Sequence, residues 1–85
     1  SLTRPAILDR FELDPHNSIV EALVPKEFDG KTIYDLQLRT RYGLNLLAVV
    51  NDGTFEVNPN PNRRLHKGEI MVVIGSNKDL DRLPI

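Results

Sequence analysis

The stretch GKTIYDLQLRTRYGLNLLAVV, residues 30–50, decides how this chain folds. Thr32, with Asp35 three residues on, forms a capping-box pattern that places Ile33 and Tyr34 in the first turn of a helix and points Leu36 inward. The polar residues 39–41 carry helix or turn to Tyr42, and Gly43 is the natural stop, since only glycine enters a left-handed C-terminal conformation without a side-chain penalty. Residues 44–50 are rich in branched aliphatics and apolar on both faces except at Asn45, the pattern of a buried strand. Helix followed directly by strand points to an α+β fold.

Downstream, Asp52 and Gly53 sit between two strand-like runs, the strongest short-range hairpin signal, so residues 44–51 and 54–58 are expected to pair antiparallel. Phe55 and Val57 would take the buried face. The NPNPN run at 58–62 is a loop, and His66, Lys67 and Gly68 make a turn. EIMVVIG then reads as a central strand, and Ser76 caps a final short helix, NKDLDRL. Upstream, residues 19–24 form a strand closed by Pro25, which has no amide to give a ladder. Thr3, Arg4 and Pro5 read as a helix start leading into AILDRF, and DPHNS at 14–18 as a boundary turn. The expected architecture is a small antiparallel sheet of about four strands, with a helix between strands 1 and 2, a linker helix at the N-terminus and a short C-terminal helix. Residues 1–17 would be linker helix and turn, and 18–85 the domain.

At 85 residues the chain holds one small core, because a domain of this size hides only about 60% of its unfolded surface; self-association is expected to support it. A formal net charge of -1 from 11 basic and 12 acidic residues offers no basic face, so nucleic acid is not an expected partner. There is no cysteine, which fits a reducing compartment such as the cytoplasm. The apolar runs fall far short of the roughly 20 residues needed to span a bilayer. The chain opens on Ser1, with Met71 its single methionine, and is expected to be a piece of something longer.

Catalytic and metal chemistry find little support. Gly30, Lys31 and Thr32 look like the end of a phosphate loop, but that pattern needs a glycine where Pro25 stands. His16 and His66 are single histidines among turn residues, with no second ligand at metal-binding spacing. Glu21, Glu27, Asp35, Glu56 and Glu69 are scattered over different elements, so no acid and base pair can be assigned. No active site, cofactor or metal is expected within the chain.

The polar residues around the helix and strand remain. Arg39 offers a planar set of donors matched to phosphate oxygens, and Asn45 both donates and accepts, as a ribose or phosphate edge requires. Pro61 and Ile33 can press on the flat face of a base, contact that is worth about 1–3 kcal/mol per base against aromatic side chains and less against aliphatic ones. Each residue also has a structural alternative. Arg39 can pair with Asp35, Asn45 can fix a strand start, and Pro61 can stiffen a loop.

The succession IVEALVP, GKTIYDLQLRTRYGLNLLAV, FEVNPNPNRRLHKGE and IMVVIGSNKDLDRL, over residues 18–83, closely resembles the C-terminal subdomain of the regulators of potassium conductance, the RCK-C or TrkA-C family. The resemblance implies a cytoplasmic regulatory domain attached to a membrane potassium transporter, potassium channel or cation-proton antiporter. It also implies a preceding Rossmann-like lobe, with residues 2–11 as the connection, and a homodimer. Several members bind cyclic di-AMP between two such subdomains. By this resemblance Ile33 and Tyr34 would form an apolar wall and Pro61 a second contact; Arg39 would face a phosphate, and Leu44 and Asn45 would meet the base or ribose. Tyr34 departs from the aliphatic residue that ligand-binding relatives often carry, so its ring would stack on adenine or narrow the cleft. A ligand-free dimerisation or ring-assembly module, or an accessory domain of a nucleotide-using enzyme, are the alternatives.

Overall fold

In the computed structural model, which describes residues 6–85, β1 (Ile7–Asp14) and β2 (Asn17–Leu23) form a hairpin, and a 3-10 turn (Lys26–Phe28) leads to α1 (Ile33–Leu36). A π-helical turn (Leu38–Tyr42) then feeds β3 (Asn45–Asn51), which pairs with β4 (Thr54–Val57). The chain closes with β5 (Ile70–Ser76) and α2 (Asn77–Leu80). The strands make one antiparallel sheet of order β1-β2-β5-β3-β4, with β5 at its centre as its apolar run predicts.

The fold class is α+β, but the sheet has five strands because the expected N-terminal helix is a strand. The helix start predicted at Thr3, Arg4 and Pro5 lies outside the described residues. From Ile7 onward the backbone pairs with β2, and DPHNS forms the tight turn of that hairpin. Asp14 Oδ1 accepts the amides of His16 at 2.7 Å and Asn17 at 2.9 Å. This local side-chain turn brings residues 7–14 onto an edge of β2 whose amides and carbonyls would otherwise lack sheet partners. Arg10 secures the strand from its other face, donating through Nη1 to Asn77 Oδ1 at 3.1 Å. The segment is integral to the sheet.

One face of the sheet carries Val20, Ala22, Val49, Met71 and Val73, all nearly or fully buried under Phe28, Leu36, Leu38, Leu44, Leu65 and Leu80. Withdrawing one such leucine from water contributes about 1.5–3 kcal/mol. The hairpin at Asp52 and Gly53 forms as expected, both residues having positive φ (50° and 77°). The side chains of β4, however, face opposite to expectation. Phe55 and Val57 are 56% and 67% exposed, because pairing with Val50 and Ala48 sets them on the face of the sheet opposite Val49. Glu56, on the other face, meets Arg63 at 2.9 Å. An inward ion-pairing carboxylate thus takes the place that simple alternation assigns to apolar residues.

Candidate functional site

α1 is a single turn. Thr32 Oγ1 accepts the Asp35 amide at 3.1 Å, as the capping pattern predicts. The amides of Ile33 and Tyr34 are taken by the carbonyls of Arg63 (3.0 Å) and Pro61 (2.9 Å), and the Gly30 amide by Leu65 at 2.8 Å. These donors are therefore engaged within the protein, which removes the phosphate-loop reading of Gly30, Lys31 and Thr32 on a second ground.

Gln37, at φ 48°, ends α1 in a left-handed conformation, with Nε2 bonded to the Tyr34 carbonyl at 2.8 Å. The chain then makes the wider turn over Leu38–Tyr42, which Gly43 ends at φ 72°. The break separates Arg39 from the helical face of Asp35. Among the described residues Arg39 makes no ion pair, unlike Arg63 and Arg82.

Ile33, Tyr34, Arg39, Leu44 and Asn45 border one cleft of about 640 Å³, within the range of small-molecule sites. No acidic residue lines it. Tyr34 is 65% exposed despite its ring, whereas Leu44 is fully buried and lies beneath the surface of the cleft. Leu44 is held from below by β5: a Cβ on Gly75 would collide with its Cδ2. Pro61 does not border the cleft within a single chain; it lies behind Tyr34, joined through its carbonyl. Gln37 and Thr40 border the cleft as well and were not singled out from sequence. The Thr40 hydroxyl lies 3.1 Å from Gln37 Oε1. No spacing in the sequence marks them, because the left-handed Gln37 ends the helical repeat that starts at Ile33.

The cleft thus combines an unpaired guanidinium, three neutral hydrogen-bonding side chains and an exposed apolar wall. Such a surface suits an anionic ligand with a flat apolar part. A separate cluster stands behind the loop of Pro61. Arg63 Nη1 and Nη2 bind Glu69 Oε1 and Oε2 at 2.7 and 2.9 Å, and its Nε binds Glu56. Glu69 also accepts the His66 amide at 2.8 Å. The Arg63 guanidinium first, and the His66 amide with it, hold the Glu69 carboxyl below its usual range against the opposing effect of burial.

Among known proteins, Ktr system potassium uptake protein C of Bacillus subtilis (strain 168) is 34% identical over 76 residues, 89% of this chain and 34% of that protein. The chain spans about a third of the length of the curated relatives it matches. Its fold superimposes with a TM-score of 0.75 and 38% identity on the RCK C domain of the potassium transport protein KtrA in complex with cyclic diadenosine monophosphate, covering 82% of this chain and 81% of that one. The RCK_C domain dimer of S. agalactiae BusR in complex with c-di-AMP gives a TM-score of 0.67 at 25% identity, over 74% of this chain and 86% of that one. Residues 19–83, which hold β2 from Ile19 onward, β3 to β5, both helices and the whole border of the cleft, match the model of the TrkA-C domain, and the chain belongs to that family.

Proposed function

We propose that this chain is the cytoplasmic regulatory domain of a potassium uptake system, and that two copies pair symmetrically to bind cyclic di-AMP between their clefts. The observation that carries the proposal is Arg39, a cation without an ionic partner among the described residues, on a cleft without acids. Likeness to two RCK C domains solved with this ligand supports the choice. Arg39 would bind a phosphate and Asn45 the ribose or base, with Leu44 as the buried floor beneath them. Ile33 and Tyr34 would cover the adenine, and Pro61 would contact it from the neighbouring loop.

A ligand with two adenines and two phosphates fits a two-fold interface, where each copy supplies the same residues to its own half. Binding controls transport if it favours one of two dimer geometries, by an amount set by the difference in affinity. That change would pass through residues 2–11 to a Rossmann-like lobe and on to the membrane transporter. No catalytic role is assigned.

Titration calorimetry tests the proposal. Cyclic di-AMP should bind at one ligand per two chains with micromolar or tighter affinity, about -8 kcal/mol or more favourable. Arg39→Ala and Asn45→Ala should each weaken it at least about tenfold. A folded dimer that takes up no ligand would instead leave a module for dimerisation or ring assembly.

A further inference from the structure

We infer that Glu69, outside the cleft, is a positioning residue for the proposed ligand site, acting through Arg63 on the loop that carries Pro61 and holds the backbone of Ile33 and Tyr34. The inference rests on the site reading above. Loop residues 61–65 run against residues 30–34. The Pro61 carbonyl takes the Tyr34 amide, the Arg63 carbonyl the Ile33 amide, and the Leu65 amide donates to the Lys31 carbonyl at 2.9 Å. Two cleft-wall residues therefore depend for their placement on where residues 61 and 63 lie.

The position of residue 63 is set by Glu69. The carboxylate grips the guanidinium with both oxygens, at 2.7 and 2.9 Å, a fork that fixes the plane of the side chain as well as its distance. Glu69 is in turn held by the His66 amide at 2.8 Å and by Asn51 Nδ2 at 3.3 Å, on the strand that begins at Asn45. Arg63 Nη1 also donates to the Arg64 carbonyl at 2.6 Å, tightening the loop on itself. A mostly buried ion pair is seldom the most stable filling of such a space. Its geometry does, however, fix the direction of the loop, which apolar side chains of the same volume do not.

The experiment measures cyclic di-AMP affinity by calorimetry, and amide hydrogen exchange by NMR, on the parent chain and on Glu69→Gln, which keeps the shape of the side chain. Glu69→Gln should bind about tenfold more weakly, equivalent to roughly 1.4 kcal/mol, and exchange at the Ile33 and Tyr34 amides should quicken. Arg63→Gln combined with Glu69→Gln should weaken binding no more than Arg63→Gln alone, since both act through one link. Ser18→Ala, which removes the 2.7 Å bond to Asn77 far from the loop, should lower stability and leave affinity unchanged. If Glu69→Gln does not fold, Glu56→Gln, at the exposed arm of Arg63, replaces it with a smaller loss of the same kind. Glu69→Gln, or Glu56→Gln in its place, binding as tightly as the parent would overturn the inference and leave the site standing. A parent chain that binds nothing would overturn the site reading itself.

Discussion

Replacing Arg63 with methionine strands a carboxylate, and the structure sets the size of the effect. The Arg63 and Glu69 side chains are 20% and 7% exposed. Charge-assisted hydrogen bonds contribute about 1.5–3 kcal/mol, and abandoning a fully buried charge costs about 3–5 kcal/mol. The exposed part of Arg63, and the His66 and Asn51 donors that remain on Glu69, reduce this to about 2–4 kcal/mol. The Glu56 arm adds little, because that carboxylate is 47% exposed and surface pairs contribute about 0–1 kcal/mol.

Urea denaturation at pH 7 and fixed protomer concentration should show this loss as a lower midpoint with an unchanged slope. Adding Glu69→Met to Arg63→Met should recover most of it, since apolar replacement of both partners removes the stranded charge. The pH dependence has a definite sign. Arg63 holds the Glu69 carboxyl below its ordinary 4.5 in the folded protein, so on acidification the unfolded chain takes up the proton first. The stability from this carboxylate is complete above about pH 4.5 and is lost as pH falls through the lower folded value. The deficit of Arg63→Met relative to the parent should therefore shrink below pH 4.5. A loss under about 0.5 kcal/mol at pH 7, or a double variant no more stable than the single one, would refute the reasoning.

Two further substitutions probe the floor and the frame of the cleft. Gly75→Ala drives a methyl group into the side chain of Leu44, which is fully buried; thermal unfolding should show a loss of about 1–3 kcal/mol, with ligand affinity reduced through the displaced Leu44 and Asn45 backbone. Thr32→Ala removes the acceptor of the Asp35 amide, and should lower stability by about 0.5–2 kcal/mol in the same assay.

Much of the fold is legible in short windows of sequence. Thr32 and Ser76 each accept an amide three residues on, Asp52 and Gly53 turn the β3-β4 hairpin, and the apolar run at 70–76 becomes the central strand. The residues picked out around the cleft came partly from their chemistry and partly from resemblance. Five of them border a common cleft, and Pro61 reaches it only through the Tyr34 amide. Gln37 and Thr40 escaped notice because the break at Gln37 depends on a left-handed residue that carries no glycine signal.

Caps and tight turns could be read directly because each is satisfied within four or five residues, by a side-chain oxygen or a permitted positive φ. Residues 7–14 belong to the other kind of feature: their intrinsic preference between helix and strand amounts to tenths of a kcal/mol per residue, and the open edge of β2 settles it. The outward set of Phe55 and Val57 and the inward set of Glu56 are likewise consequences of register against β3 and of Arg63 waiting on the covered face. The link from Glu69 through Arg63 to Ile33 and Tyr34 joins residues up to 36 positions apart. No sequence window contains it, since hydrogen bonds of that reach exist only once the loop has been folded against α1 and β5.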